Sequence, residues 1–563
     1  MANFTISPGV TTNEIDNTFL VGQPVQAGAA IIGPTAKGPI EQPTLVTSYS
    51  DYTSIFGDTI LSASNTYSYL TSIAAYSYFN YGGESLLVSR ITNGTHSPAT
   101  SSIIATGSSD ISGSFYSGST TQGLSPFVLT TLSEGVIGNN NTEGADYYNN
   151  GLLSNGDKDN LRFEIRNVST SSGLFNVLIR QGNDLQNKKI ILETWNKINL
   201  DPESDRYISK VVGDQTVTFD SINKQNVTTG EYPNNSRYVR ISAVNNKMQN
   251  YLNAAGNVSS NAYTGSMPIA GNGTFGGAVG DVMDGANFYD DISTQTQGVF
   301  GSDYSQSISL LANKDAYRYN VLFTPGLTNK DHTSQVTDII TNTIARGDAM
   351  YVPDLTGYAE TLNEAIIQAT SRDTSYAATY WPWVKIQDPG TGKMVWVPAS
   401  TVIPGVYAFN DKVAAPWFAP AGINRGGLNT VQYAKFKLTQ ANKDNLYEAN
   451  INPLATLSGE GVVVFGQKTL QKEASALDRV NVRRLLIELK SYIGQLADQI
   501  VFEQNTATTR IGFISKVTPY LEAIQQKQGL YAFKVVMDES NNSPAVIDRN
   551  QLVGQIYIQP TRT

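Results

Sequence analysis

The chain has no cysteine and only two histidines in 563 residues. Without thiols there are no disulfides, no iron–sulfur clusters and no thiolate metal sites, and the redox compartment is left open. His96 and His332 lie in polar, turn-rich contexts, "NGTHSPAT" and "NKDHTSQ", where solvent-exposed side chains are expected. A Ser-His-Asp triad or a multi-histidine zinc site therefore has little to draw on. No long Lys/Arg run is present, and 48 acidic residues outweigh 39 basic ones for a net charge of -9, which argues against direct nucleic-acid binding. The first residues, "MANFTISPGV", lack the features of a signal peptide, and no apolar run approaches the ~18 residues a membrane span needs. A soluble species without membrane insertion is expected.

What is present is length, polar loops and aromatics. A chain of this size divides into several domains. Abundant Asn, Ser, Thr and Gly, with 30 Tyr and 20 Phe, favour β structure and broad polar contact surfaces. Residues 1 to about 20 alternate through Phe4, Ile6 and Val10 and read as an extended N-terminal arm. From 21 to 95 the signals alternate between "AGAAIIGPTAKGP" as a strand, "YSDYTSIFG" and "YSYLTSIAAYSYFNYGG" as helices, and "SLLVSRI" as a strand. The same rhythm returns over 301–405 with "YNVLFTPGL", "SQVTDIITNTIARGD" and "AMYVPDL", so the two stretches form a discontinuous α/β middle domain. Between them, 96–300 reads as β-rich insertions with long surface loops. The fold class is thus mixed α/β (α+β) and multidomain, with a C-terminal domain over 406–545 and an arm over 546–563.

One long helix dominates the C-terminal part, from Val480 to about Asn505. Val482, Leu485, Leu486, Leu489, Ile493, Leu496 and Ile500 form a stripe that must pack on a neighbour. Arg479, Arg483, Arg484 and Lys490 fall largely off it, and a solvated polar face is the simpler explanation of these charges. A second, short helix is read from "VTPYLEAIQQKQG". In the closing "QLVGQIYIQPTRT", Leu552, Ile556 and Ile558 share one face of an extended chain, so a half-buried strand is expected and its backbone needs a partner.

Chemistry-bearing motifs fail their context tests. "GNGTFG", 271–276, matches the dinucleotide fingerprint literally, but no buried strand is evident before it and no helix opens behind it, so a flexible loop is expected. Asp290 with Asp291, and Asp281 with Asp284, lack calcium-loop spacing and read as solvated carboxylates. No catalytic residue, cofactor or metal site is assigned, and no enzyme activity is expected.

Several stretches together resemble the contractile tail sheath family of myovirus-type bacteriophages: "SPGV", "GPTAKGPIEQPTLVTSYSDYTSIFG", "NLDPESDRYISKVVGD", "GEYPNNSRYVR", "DPGTGKMVWVP", "PWFAPAGINRGGL", "NINPLATLSGEGVVVFGQKTL" and "VNVRRLLIELKSYIGQLADQIVFEQN". The resemblance is strongest over about 350–535. It implies a structural subunit that polymerises as stacked hexameric rings around a tail tube, with its C-terminal domain lining the inside, variable insertions facing outward and baseplate and tail terminator proteins as further partners. It also implies that terminal arms add strands to a neighbouring subunit's sheet, which makes Phe4, Ile6, Val10, Leu552, Ile556 and Ile558 arm residues. Contraction would drive the tube through the host envelope for genome ejection, with the protein assembled in the host cytoplasm and located in the virion. Tube attachment must be breakable, a condition exposed charges meet, and Arg510, Lys516 and Lys527 are the candidates. The sheath of a phage-tail-like bacteriocin or another contractile injection system is an alternative within the class. A bacterial surface or adhesin protein is a more distant one.

Overall fold

In the computed structural model, the described residues are 25–62, 64–104, 111–112, 115–116, 125–139, 150–245, 267–280 and 287–561. Phe4, Ile6 and Val10, together with Asp281 and Asp284, lie outside them.

The "AGAAIIG" run becomes the central strand of a five-stranded sheet. This strand, β1 (Val25–Pro34), lies between β3 (Leu86–Ile91) and β4 (Tyr317–Thr328) and is parallel to both, in registers that include Ala29↔Leu86 and Val25↔Tyr317. The short β2 (Thr44–Val46) closes one edge antiparallel to β3, and β5 (Met350–Asp354) closes the other parallel to β4. A parallel sheet covered on both faces needs apolar residues at successive positions rather than alternating ones, and all six residues of β3 are buried.

Alternation along β1 then divides two cores. Ala29 and Ile31 face a layer containing α2 (Leu70–Asn80) and α4 (Ile403–Val413), while Ala30 and Ile32 face α3 (Thr333–Arg346). Before α2, the short α1 (Tyr49–Phe56) starts at Ser48, whose Oγ accepts from Asp51 N at 3.0 Å, and stops at Gly57. Gly33 lets β1 approach α2 closely: a Cβ there would lie 2.4 Å from Thr71 Oγ1.

Strand pairing continues across residue 405. Val384–Gln387 pairs antiparallel with Val431–Ala434, and Thr379–Trp381 pairs parallel with Ile451–Leu457. Residues 406 to about 470 therefore share sheets and core with the preceding chain.

Much of the segment between β3 and β4 has a core of its own, built from Phe127, Phe163, Phe175, Ile179, Tyr207, Val239 and neighbours. Two arginines are sealed inside its six-stranded sheet. Arg180 holds Asp184 through Nε (2.7 Å) and Nη2 (2.9 Å), Arg162 reaches the same carboxylate at 3.2 Å, and Glu164 bridges Arg180 (3.1 Å) to Lys189 (2.8 Å). The charges are tolerable there because each is paired and hydrogen-bonded.

Two sequence expectations are corrected here. "GNGTFG" is no flexible loop: Gly271–Thr274 is a strand in this sheet, antiparallel to Leu161–Ser169. Its glycine is steric, since a Cβ on Gly273 would lie 2.1 Å from Phe163 Cζ. His332 is 3% exposed rather than solvated. Its Nδ1 accepts from Thr328 N (3.2 Å), its Nε2 faces Thr294 O (3.1 Å), and burial lowers its pKa. His96 is partly covered rather than fully solvated, whereas Asp290 and Asp291 are exposed in a short 3-10 turn, as read from sequence.

Asp354, at the end of β5, is buried and accepts from Ser400 N (3.0 Å), Ser400 Oγ (2.6 Å) and Gly326 N (3.3 Å). Burial outweighs these bonds and pushes its pKa up to about 6. The unfolded value is ~3.9, so the folded state holds this proton more tightly; the group carries no penalty below both values, destabilises increasingly as pH rises from the unfolded to the folded pKa, and levels off above it. Asp354→Asn is expected to remove that slope. Urea unfolding free energies measured at about pH 4.5 and about pH 7 should show the parent losing ~2 kcal/mol relative to the variant over this interval.

Candidate assembly site in the C-terminal module

After residue 470 the chain builds a module with its own small core. Helix α5 (Val480–Asp498) leads to α6 (Ala507–Gln526), followed by strands β6 (Leu530–Val536) and β7 (Gln555–Pro560). Leu485, Leu489, Phe513, Val517, Leu521 and Ile524 are the buried centre, and Leu486, Ile493, Leu496 and Ile500 of the predicted stripe pack around them.

The helix boundaries differ from the sequence reading. The long helix ends at Asp498 rather than near Asn505, and the second helix begins at Ala507 rather than at Val517. Thr506 supplies the start signal, its Oγ1 accepting from Thr509 N at 3.3 Å, and between the helices Phe502 takes a left-handed φ of 74°.

The arginines at the start of α5 are also not a solvated face. Arg483 and Arg484 are 5% and 4% exposed. Arg484 forms a two-pronged pair with Asp411 of α4 (2.8 Å and 2.5 Å) while its guanidinium covers the Tyr407 ring at 4.7 Å. Arg483 lies 4.1 Å over the Tyr376 ring and donates to Ser375 Oγ at 2.5 Å. Asn481 Nδ2 donates to Trp417 O (3.2 Å), and Trp417 Nε1 donates to Lys527 O at the end of α6 (3.0 Å). These contacts bolt the module to the parallel-sheet core. Their partners are 60 or more residues away in sequence, so no local spacing reveals them.

The closing strand exists and has a partner in its own chain. β7 pairs antiparallel with β6 in a register that includes Phe533↔Ile558 and Val535↔Ile556. Those four side chains, with Leu552, pack onto the helices, while Tyr531 and Tyr557 are exposed on the other face. The sheet has only these two strands among the described residues, and a two-stranded ribbon owes its stability to such packing. Each strand keeps an outer edge available for pairing.

Residues 472–563 match the phage tail sheath C-terminal domain. The matched segment spans α5 to β7, and the wider chain is similar to tail sheath proteins. It is 39% identical over 208 residues to the tail sheath protein of Vibrio phage KVP40, covering 37% of this chain and 31% of that protein. With the tail sheath protein of Enterobacteria phage T4 it shares 42% identity over 168 residues, 30% of this chain and 26% of the relative. The alignments thus span about a third of these relatives' length or less. The crystal structure of a sheath tail protein from Listeria innocua superposes with a TM-score of 0.54 at 10% identity, covering 96% of this chain and 93% of that one, which establishes a shared mixed α/β fold.

Within the matched segment, the three predicted tube-facing cations differ. Arg510 is buried, with Nη1 donating to Asn505 Oδ1 at 2.8 Å, so it braces the start of α6 and is withdrawn from the surface. Lys516 and Lys527 are exposed; Lys516 Nζ approaches Gln499 Oε1 at 3.3 Å. Among the described residues, no group of three or more His, Asp or Glu side chains is arranged to hold a metal ion, and no helix is long and apolar enough to cross a membrane.

Removing one half of a buried, hydrogen-bonded ion pair leaves the other uncompensated. Arg484→Ala is expected to destabilise the protein by about 2–4 kcal/mol, with Asp411's partial exposure keeping the loss below the fully buried case. Arg510→Ala, which breaks one bond to a neutral amide, should cost ~1 kcal/mol. Chemical denaturation of the two variants side by side checks the ordering.

Proposed function

We propose that this chain is a structural subunit of a contractile tail sheath. It polymerises as stacked hexameric rings around a tail tube in the virion, and its contraction drives the tube through the host envelope. The observation carrying this reading is the match of residues 472–563 to the sheath C-terminal domain, which falls on the module whose short sheet has two open edges. The role is mechanical rather than enzymatic. Tail tube, baseplate and terminator proteins are the partners, with Lys516 and Lys527 as tube-facing charges and the 96–300 segment facing outward.

The two-stranded sheet supports a specific mode of linkage. The register that β7 makes with β6 inside one molecule can be made equally between copies, because exchanging an identical strand conserves every contact. The 18 residues from Met537 to Gly554 connect the strands, enough chain to let β7 leave its own ribbon for a neighbour's. The remaining edge would accept the N-terminal arm with Phe4, Ile6 and Val10. Main-chain pairing of this kind supplies continuity while the domains it connects rotate.

Negative-stain microscopy of the purified chain should show striated tubes or hexameric rings; monodisperse monomers at all concentrations would exclude the proposal. Deleting Gln551–Thr563 removes Leu552, Ile556 and Ile558 from the module's packing and should lower its stability; a truncated chain that keeps its helical circular dichroism should no longer form tubes. Normal tubes from the truncated chain would remove the strand-exchange element.

A further inference from the structure

Four Asn-Gly dipeptides occur in the chain, at 93–94, 150–151, 155–156 and 272–273. Asparagine is a chemically labile side chain, and a following glycine has no Cβ to shield its backbone nitrogen. That nitrogen can attack the asparagine carboxamide when both groups are free to move. Freedom is what separates the four.

Three are held. Asn272 is 2% exposed, its Oδ1 accepts from Arg180 Nη1 (2.5 Å), and Gly273 is wedged against Phe163. Asn150 Oδ1 accepts from Leu152 N (3.0 Å), and Gly151 is buried, its carbonyl accepting from Arg162 Nη1 (2.6 Å). Asn155 is exposed, but Gly156 N donates to Leu153 O (3.3 Å) and a Cβ on Gly156 would lie 2.7 Å from Gly182 O. The attacking nitrogen there is engaged inside a packed turn.

Asn93 and Gly94 lie in the connection 92–97 between β3 and the strand Pro98–Ser102, and both are exposed, as is Thr95. Among the described residues, neither the Asn93 carboxamide nor Gly94 N has a hydrogen-bond partner. Gly94 takes a φ of 81°, and a Cβ built on it would meet nothing within 4 Å. His96 Nδ1 lies 3.3 Å from Gly94 O, at the opposite end of that residue from the reacting nitrogen.

We propose that Asn93 is a site of spontaneous deamidation, through which the joint between the parallel sheet and the insertion acquires a carboxylate as the protein ages. Gly94 N loses its proton to a solvent base and attacks Asn93 Cγ; the Cγ–Nδ2 bond breaks, Nδ2 leaves as ammonia, and a succinimide ring closes. Water then adds to one of the two ring carbonyls. Breaking the bond from Cγ to Gly94 N gives aspartate; breaking the bond from the main-chain carbonyl carbon to that nitrogen gives isoaspartate, in which the main chain runs through Cγ and is longer by one methylene. Water is the co-reactant and nothing is oxidised or reduced.

The position gives the change a consequence. Thr92, Gly94 and His96 line a cavity of about 360 Å³ with Glu41 and Glu134, and burial, together with Glu134 and Asp303, already pushes the Glu41 pKa up to about 7. A carboxylate at 93 adds a further like charge to this side of the joint, and the isoaspartyl form lengthens the joint itself. The inference is independent of the sheath reading.

Full-length protein aged in mildly alkaline buffer, native and in urea, is followed by peptide mass mapping and by labelling with an isoaspartyl methyltransferase. In urea all four sites should convert at comparable rates. In the native protein Asn93 should keep most of its urea rate while the other three slow by about five- to tenfold or more, the cost of breaking a hydrogen bond before attack. Asn93→Gln, whose longer side chain must close a larger ring, should fold as the parent does and abolish the early label. Asn93 slowed in the native protein as much as the other three, or an early label that persists in Asn93→Gln, would overturn the proposal.

Discussion

The pairing of Arg484 with Asp411 is the contact on which the C-terminal module depends. Helix α5 carries on one flank the apolar stripe that nucleates the module's core, and on another the arginines that fix it to α4 and to the segment around Tyr376. Apolar packing alone would hold the helix but would resist its rotation only weakly. A planar guanidinium held by two hydrogen bonds to one carboxylate and seated on an aromatic ring adds a direction. Burying the charge contributes little net stability once desolvation is counted; what it fixes is the orientation of α5, and hence the placement of α6 and the terminal ribbon. Trp417 reinforces this from the far side, receiving Asn481 and reaching the end of α6.

The insertion between β3 and β4 uses the same device for a different end. Its sheet encloses Arg162 and Arg180 around Asp184, and its Phe-rich core is separate from the two cores on either side of β1. The strands flanking β1 come from sequence positions more than 200 residues apart, so the parallel sheet must close over a whole inserted unit. A unit with an independent core can be accommodated at that point without disturbing the registers of β1, since loop-closure entropy grows only slowly with length.

Sequence made the local features legible wherever the signal was local. The strand "AGAAIIG" and the helix "YSDYTSIFG" both follow from neighbours within a few residues, and the structure places them within a residue or two. Local spacing carries no signal where the deciding contact is distant. Arg483 and Arg484 sit off the apolar stripe, and only Tyr376, Tyr407 and Asp411, brought in by tertiary structure, make burial possible. Gly273 reads as a loop residue until Phe163 lies across it. His332 looks solvated because its polar neighbours supply hydrogen-bond partners for burial as readily as exposure. The stripe through Ile500 concealed a helix break because its residues still pack on the same core after the helix has ended. The edges of β6 and β7 serve either arrangement, since a strand satisfied inside a molecule is equally satisfied in an identical neighbour.

That equivalence carries a mechanical consequence for the proposed sheath. A lattice that shortens without coming apart needs links that keep their bonding while geometry changes, and units that do not deform when the links pull. Backbone pairing at a chain end meets the first need: its hydrogen bonds depend on register, while the connecting chain absorbs changes in distance and angle. The clamp on α5 meets the second, because a load applied through β6 and β7 passes through α5 and α6 to Asp411, Tyr407 and the parallel sheet. Buried, directional bonds keep that path rigid, so compliance in the proposed link would come from the 18-residue connection between β6 and β7 once Asn542 releases Val553. In the proposed sheath the subunit would then rotate as a body, and free energy released on contraction would go into repacking surfaces rather than into straining the fold.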